Sequence, residues 1–245
     1  MLTVLAGDVL ADRIGDGPPQ VLALHGWGRS GADFAPILAG TDALAVHLPG
    51  FGPSAAPPEV WGSGEYADQV VRGLQAGGPA TGPFVVVGHS FGGRVAVRLA
   101  ARHPELVSAL VLTGVPLIRT APPTVARGMR TLKRLRAARL IPQSVLDRYR
   151  RRAGSADYRA ADGVMRDILV RVIREDYRAD LARIDAPTHL VWGELDDAAP
   201  LDGAHRAAEL LTDATVEVVP GAGHLLDGAL ADALRLQVLA LVEAS

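Results

Sequence analysis

A serine between two glycines follows a short apolar run near the middle of the chain. The run is Phe84–Val87, and the sequence GHSFG occupies residues 88–92 directly after it. A Gly-x-Ser-x-Gly turn between a buried strand and a helix strains the backbone at the serine and presents its hydroxyl above the sheet. The glycines avoid the collisions that a Cβ would make in so tight a turn. The spacing therefore predicts that Ser90 is a nucleophile.

A serine hydroxyl is a weak nucleophile and needs a base to accept its proton. His224 is the candidate base, because it ends the glycine-rich loop GAGH (221–224) after a late predicted strand. A carboxylate that orients the histidine is expected after the preceding strand, where the sequence reads WGELDD (192–197). Asp196 and Asp197 compete for this role, and we favour Asp196.

The negative charge that develops on an attacked carbonyl oxygen requires two backbone amides beside the nucleophile. One is expected from Phe91, which directly follows Ser90 at the start of a helix. The other is expected from the loop HGWG (25–28), through the backbone amide of Trp27. The indole of Trp27 is also a candidate wall of the substrate pocket. His25 is expected to hold this loop by hydrogen bonding.

Apolar strands alternate with helical patterns through most of the chain. Strands are predicted at 21–24, 43–48, 84–87, 110–115, 188–192 and 216–219, after an N-terminal hairpin over 2–14, and helices at 32–39, 65–76, 203–212 and 229–243. This alternation predicts an α/β fold with a doubly wound, mainly parallel sheet. Residues 116–184 show a helical pattern alone. We therefore predict an all-helical lid at 116–184, inserted into a core formed by 1–115 and 185–245.

The charges divide along the same boundary. The 245 residues include 25 Lys and Arg and 27 Asp and Glu, for a net charge of −2. Residues 116–184 hold 17 of the basic and 7 of the acidic residues, which gives the lid +10 (17 − 7) and the core −12 (8 − 20). Arg136 and Arg139 fall on the apolar stripe of a predicted lid helix, where burial without a partner is unfavourable. We expect both to bind an anionic group of the substrate at the pocket mouth.

Two other arginines are expected on exposed helix faces. Arg94, four residues after Ser90, is interpreted as a solvent-facing residue. Arg171 is expected to pair with Asp167 one turn earlier on the same helix.

The composition argues against several other classes of protein. Without cysteine there is no disulfide, thiolate metal site or cysteine nucleophile. The seven histidines lack the spacing of metal ligands, so no metal is expected. The longest apolar stretch is too short for a bilayer and the N-terminus lacks signal-peptide features, so we expect a cytoplasmic protein without membrane insertion. The small net charge gives no general attraction to nucleic acid.

The sequence resembles the α/β-hydrolase superfamily over nearly all its length. The motifs that carry the resemblance are HGWG (25–28), LPGFGPS (48–54), GHSFGG (88–93), WGELD (192–196) and GAGH (221–224). The resemblance implies a covalent acyl-enzyme, water as the second substrate and no cofactor. A serine at position 90 excludes the branch with an aspartate nucleophile, the dehalogenases and epoxide hydrolases. The expected substrate is a small-molecule carboxylic ester or thioester, and the expected state is a monomer or homodimer.

Two groups within the superfamily suggest different substrates. HGWG with a helical lid is similar to the carrier-protein methyl-ester esterase of biotin synthesis, in which basic lid residues hold an acidic acyl carrier protein. The sequence GHSFGGR, which ends at Arg94, resembles the menaquinone-pathway lyase, although His89 replaces the tyrosine of that enzyme. Three hypotheses follow. The first is a hydrolase of an ester or thioester, and in one version of it the acyl group is anionic or carrier-bound. The second is a lyase that uses the same serine, histidine and aspartate as a base, and the third is a non-catalytic ligand receptor.

Overall fold

Eight strands form one sheet at the centre of the molecule. A computed structural model describes residues 1–6, 9–76, 82–118, 135–138, 140–142, 144–145 and 156–244. The strands are β1 (Leu2–Ala6), β2 (Val9–Ile14), β3 (Val21–Leu24), β4 (Ala43–His47), β5 (Phe84–His89), β6 (Val107–Thr113), β7 (Thr188–Gly193) and β8 (Ala214–Val219). Their order across the sheet is β1-β2-β4-β3-β5-β6-β7-β8.

The strand order places a change of winding direction between β3 and β5. β1 and β2 form an antiparallel hairpin, and β2 is antiparallel to β4. All other neighbouring strands are parallel. The chain leaves β3 toward β4 on one side and leaves β5 toward β6 on the other, so the loops after β3 and β5 diverge. In open α/β sheets, such a crevice at the carboxyl ends of the strands is where ligands bind.

Helices cover both faces of the sheet. They are α1 (Ser63–Ala76), α2 (Phe91–Arg102), α3 (Ala156–Ala160), α4 (Gly163–Val172), α5 (Arg178–Leu181), α6 (Leu201–Ala208) and α7 (Gly228–Glu243), with 3-10 turns at Gly31–Phe34 and Pro104–Leu106 and helical backbone at 135–137 and 144–145. Alternate residues of β3 point to opposite faces: Leu22 and Leu24 join the apolar cluster under α1 and α2, whereas Val21 and Ala23 join the cluster under α7. The doubly wound α/β fold is confirmed.

The predicted helix at 32–39 is wrong. Only the 3-10 turn Gly31–Phe34 forms there, followed by turns. Pro36 has no N–H to donate to the carbonyl of Ala32, and that carbonyl instead accepts from the backbone N–H of Ala35 at 3.1 Å. Because the i→i−4 pattern is interrupted, no full α-helix forms.

Two arginines have partners in distant segments. Arg94 is not on the exposed face expected for it, whereas Arg171 is exposed as expected but has a different partner. Arg94 is buried, and its Nη1 donates to the carbonyl of Val172 at 2.7 Å. Arg171 does not follow the predicted pairing with Asp167: it forms an ion pair with Glu65 and donates to the carbonyl of Val60 at 2.7 Å. Both corrections arise from the packing of the α4 region against the core.

The segment predicted to be a lid contains no strand in its described residues. Helices α3, α4 and α5 belong to it, and α5 packs against α2. Many of its basic residues, Arg139 among them, lie outside the described residues. Its boundaries and its role as a lid remain predictions.

Candidate active site

Ser90 lies at the junction of β5 and α2 in a strained backbone conformation. Its φ is 50° and its ψ is −112°, and it is the one non-glycine residue with a positive φ in the described parts of the chain. A Cβ on Gly88 would lie 2.5 Å from the Cα of Gly93, and one on Gly92 would lie 2.0 Å from the carbonyl oxygen of Leu24. The tight turn therefore requires both glycines. Such strain, on the order of 1–3 kcal/mol, is typical of functional sites.

Three side chains from separate loops form a hydrogen-bonded chain. His224 Nε2 lies 3.2 Å from Ser90 Oγ, and His224 Nδ1 lies 2.7 Å from Asp196 Oδ2. The Asp196 side chain is 1% exposed, and its Oδ1 accepts hydrogen bonds from the amides of Ala198 and Ala199 at 3.0 and 2.8 Å. The carboxylate holds the proton of His224 on Nδ1, which leaves the lone pair of Nε2 directed at the serine hydroxyl.

The other two acidic residues of this loop, Glu194 and Asp197, lie in different surroundings. Asp197 is exposed. Glu194 accepts a hydrogen bond from the amide of Gly221 at 2.9 Å, and Leu195 donates its amide proton to the carbonyl of Ala222 at 2.8 Å. These bonds tie the loop that carries Asp196 to the loop that carries His224.

Gly114, the first residue after β6, packs against the histidine–aspartate pair. Its φ is +60°, and a Cβ there would lie 2.9 Å from His224 Cε1 and 3.2 Å from Asp196 Oδ2. Sequence reasoning did not identify this residue. The available signal was a glycine near the end of the predicted core strand 110–115.

The loop after β3 lies beside the nucleophile. A Cβ on Gly26 would lie 3.4 Å from the Cβ of Ser90, and the rings of Trp27 and Phe91 meet edge to face with centroids 5.2 Å apart. Phe91 begins α2 directly after Ser90. This arrangement brings together the two residues whose backbone amides were predicted to bind the oxyanion.

His25 holds this loop in place. Its Nε2 accepts from the amide of Leu48 at 3.0 Å, so the proton is on Nδ1, which lies 2.7 Å from the carbonyl oxygen of Gly26. Burial lowers the pKa of His25 to about 4 and keeps the ring neutral. This is the loop-holding role predicted from the sequence.

A cavity of about 230 Å³ opens next to this loop. Its described lining consists of Trp27, Gly28, Gly50, Phe51, Asp157, Ala160, Ala161, Asp162 and Met165. Trp27, Phe51 and Met165 provide an aromatic and apolar wall, whereas the side chains of Asp157 and Asp162 belong to exposed residues. Trp27 thus lines this cavity, and its contact with substrate remains a prediction.

Two arginines, Arg136 and Arg139, were predicted to lie at the pocket mouth. Arg136 lies in the helical residues 135–137, is half-buried and is not among the described residues that line the cavity. Arg139 lies outside the described residues. Their binding of substrate remains a prediction.

Within the described ranges, no cluster of three or more His, Asp or Glu residues could hold a metal ion. No described helix is long and apolar enough to cross a membrane.

The chain belongs to the α/β-hydrolase family, whose sequence profile matches residues 21–233. It is 32% identical to the pimeloyl-[acyl-carrier protein] methyl ester esterase of Chromobacterium violaceum, over 89% of this chain and 91% of that protein. It is also 28% identical to the 2-(acetamidomethylene)succinate hydrolase of Mesorhizobium japonicum, over 85% of this chain and 82% of that protein. The family and these relatives define a hydrolytic enzyme of the carboxylesterase-like class.

Solved structures support the same fold. A hydrolase from Pseudomonas aeruginosa superposes with a TM-score of 0.74 at 21% identity, covering 98% of each chain. A thermophilic esterase from Thermogutta terrifontis gives a TM-score of 0.72 at 22% identity, covering 99% of this chain and 97% of the esterase. At these identities the likeness concerns the fold alone.

Proposed function

We propose that this protein hydrolyses carboxylic esters through an acyl-enzyme formed on Ser90. The observation that carries the proposal is the hydrogen-bonded chain Ser90–His224–Asp196, with distances of 3.2 and 2.7 Å. A serine hydroxyl within reach of a histidine that a carboxylate orients has the geometry of an activated nucleophile.

The reaction proceeds in two halves. Ser90 Oγ attacks the ester carbonyl carbon while His224 Nε2 accepts the hydroxyl proton. Collapse of the tetrahedral intermediate breaks the bond to the alcohol oxygen, and His224 returns the proton to that oxygen. Water then attacks the carbonyl carbon of the acyl-serine while His224 Nε2 accepts one of its protons. Collapse of the second tetrahedral intermediate breaks the bond to Ser90 Oγ, His224 gives that proton to Oγ, and the acid leaves.

The proposed stabilisation of charge follows from the surroundings. The Asp196 carboxylate keeps the proton of His224 on Nδ1 and offsets the positive charge that the ring acquires. The amides of Phe91 and Trp27 are proposed to donate to the oxyanion. Loss of one such donor typically lowers kcat by about 10²–10³-fold.

The cavity suggests a short, uncharged group beside the reacting carbonyl. Its volume of about 230 Å³ lies below the range of about 300–1,000 Å³ found for drug-sized ligands. Trp27, Phe51 and Met165 offer apolar contacts, whereas Asp157 and Asp162 would repel a carboxylate. We therefore propose that the group bound there carries no negative charge.

A carrier-linked ester is a second candidate substrate. It is favoured by the 32% identity to an esterase named for an acyl-carrier-protein substrate and by the +10 charge (17 − 7) of residues 116–184. In this version the negative charge belongs to the carrier protein and not to the group in the cavity. Arg136 and Arg139 are proposed to contact the acidic carrier or its phosphate.

The test is the hydrolysis of p-nitrophenyl acetate and butyrate, with thioesters and amides of the same acyl groups for comparison. Ser90→Ala should lower kcat by roughly a millionfold, because nucleophile and base act as a unit. Ser108→Ala, a substitution in β6 away from the site, serves as the control and should leave kcat unchanged. Full activity in Ser90→Ala would overturn the proposal.

A further inference from the structure

His89, the residue before Ser90, is linked to three parts of the candidate site. Its residue exposure is 3%, and its ring centroid lies 5.0 Å from that of His224. Its Nε2 lies 2.9 Å from the backbone carbonyl oxygen of His224. Because a carbonyl oxygen can only accept, the proton of the imidazole is on Nε2 and is donated to that carbonyl.

The other ring nitrogen has no such partner. Nδ1 is buried, and no described residue forms a hydrogen bond with it. It lies against the loop after β3, since a Cβ on Gly26 would approach it to 2.9 Å. A buried acceptor without a donor lowers stability. A ring of similar shape without nitrogen would avoid this penalty, so the packing of the core alone does not explain a histidine here.

Among the described hydrogen bonds, the one from His89 holds the backbone of residues 223 and 224 in the loop that carries His224. Bonds with Glu194 and Leu195 hold the loop at Gly221 and Ala222. A Cβ on Gly221 or Gly223 would have nothing within 4 Å, so the outer side of the loop is open, while its inner side packs on Gly193, where a Cβ would lie 2.3 Å from the carbonyl oxygen of Gly223. Among described residues, His89 donates to the backbone of His224 itself.

We propose that His89 is a positioning residue, which fixes the backbone of His224 so that the imidazole of His224 faces Ser90. The inference rests on the proposed function, because it assigns His89 to the serine–histidine pair. The described hydrogen bond of His89 goes to the backbone of His224 and not to Ser90 Oγ or to the imidazole nitrogens of His224. It acts through the geometry of the base.

The ring of His89 stays neutral while it holds the backbone of His224. Burial lowers its pKa to about 4, and the charge of His224 acts in the same direction, whereas Asp196 and Asp33 raise it. A neutral ring keeps a single proton, and the carbonyl of His224 holds that proton on Nε2. No second positive charge therefore opposes the protonation of His224 during the reaction.

Three substitutions separate positioning from packing. The amide nitrogen of His89→Gln can occupy the place of Nε2 and donate to the His224 carbonyl. The shorter side chain of His89→Asn reaches only the place of Nδ1, and His89→Phe keeps the ring but has no donor. The measurements are kcat and KM for p-nitrophenyl butyrate and the melting temperature of each variant, with Ser90→Ala as the reference for loss of the nucleophile.

We expect His89→Phe and His89→Asn to lower kcat by roughly 10- to 100-fold with KM unchanged, the size expected when a reacting group is displaced by about 1 Å. His89→Gln should restore kcat to within a few-fold of wild type. His89→Phe should melt close to the wild-type temperature, because it removes the unpartnered Nδ1 but leaves the carbonyl of His224 without its donor.

The inference is overturned if His89→Gln is as slow as His89→Phe, if His89→Phe keeps wild-type kcat, or if loss of kcat parallels loss of melting temperature. An active Ser90→Ala variant would refute the proposed function instead, whatever the His89 variants do.

Discussion

Asp196 contacts His224 through one carboxylate oxygen and the backbone of its own loop through the other. Oδ2 lies 2.7 Å from His224 Nδ1, while Oδ1 accepts from the amides of Ala198 and Ala199. The carboxylate cannot rotate away from the histidine without losing both backbone bonds. It is therefore fixed in the orientation that the proposed reaction uses, before any substrate binds.

Because Asp196 contacts His224 and Asp197 is exposed, substitutions of these two neighbouring aspartates should have different effects. Asp196→Asn should lower kcat by roughly 10⁴-fold, because the amide no longer fixes the tautomer of His224 or offsets its charge. Asp197→Asn is the matched control and should have little effect, since Asp197 is exposed. The measurement is kcat for p-nitrophenyl butyrate at pH 7. Equal losses, or a larger loss for Asp197→Asn, would assign the orienting role differently.

Gly114 gives a second test of the same geometry. Gly114→Ala would place a methyl group 2.9 Å from His224 Cε1 and should lower kcat by roughly 10²-fold through displacement of the ring. Gly228→Ala introduces the same kind of backbone strain, at φ +46°, with nothing within 4 Å of the new methyl group. It should reduce stability without a comparable loss of kcat. Similar losses of kcat in both variants would show that strain, rather than the contact with His224, is responsible.

Stability should fall in mild acid because of two buried neutral histidines. Burial lowers the pKa of His25 and of His89 to about 4, from 6.5 in the unfolded chain. The unfolded state therefore binds more protons below pH 6.5, and the free energy of unfolding decreases as the pH falls from 6.5 to 4. The expected loss is about 3 kcal/mol per histidine at pH 4.

Urea titrations between pH 7.5 and about 4 measure this dependence. His89→Gln should make it shallower by the contribution of one histidine, whereas His205→Gln, at an exposed position on α6, should leave it unchanged. A free energy of unfolding that stays constant over this range would contradict the assignment of neutral buried rings.

The turn at Ser90 and most strands of the sheet were predictable because the sequence patterns that indicate them are local. An apolar run followed by Gly-x-Ser-x-Gly specifies β5, the strained turn and the start of α2 within about twenty residues. The strand at 21–24 was predicted with the bounds of β3, since a continuous apolar run between turn residues marks a buried strand. The predicted strand at 110–115 begins earlier, at Val107, because Val107 pairs with Phe84 in the parallel register with β5.

Contacts between distant segments were not predictable in the same way. Arg94 was interpreted as solvent-facing, but it is buried and donates to the carbonyl of Val172, 78 positions later. Whether Asp196 or Asp197 meets His224 depends on the turn after β7, in which the amide of Asp196 donates to the carbonyl of Gly193 at 3.2 Å. The role we propose for His89 depends on a carbonyl 135 positions away, and no pattern near His89 indicates it.

The basic segment 116–184 has a testable electrostatic consequence. If it binds an acidic carrier, kcat/KM for a carrier-linked ester should fall more steeply with added salt than kcat/KM for a neutral ester with the same acyl group. The reason is that the screening length shortens from about 30 Å at 0.01 M salt to about 8 Å at 0.15 M. Arg136→Ala and Arg139→Ala should remove this difference. Arg72→Ala, an exposed substitution on α1, is the control.

Equal responses of both substrates to salt in the wild-type protein would leave the carrier-linked candidate without support. They would not affect the proposed hydrolysis of small esters.

The proposed hydrolysis requires that Ser90 becomes acylated. The most direct measurement is mass spectrometry of the intact protein and its peptides, after reaction with a fluorophosphonate and after rapid quenching during turnover of p-nitrophenyl butyrate. We expect one adduct, located on Ser90, which is absent in Ser90→Ala and forms far more slowly in His224→Ala. Adducts on another serine, or rapid turnover with no adduct on Ser90, would contradict it.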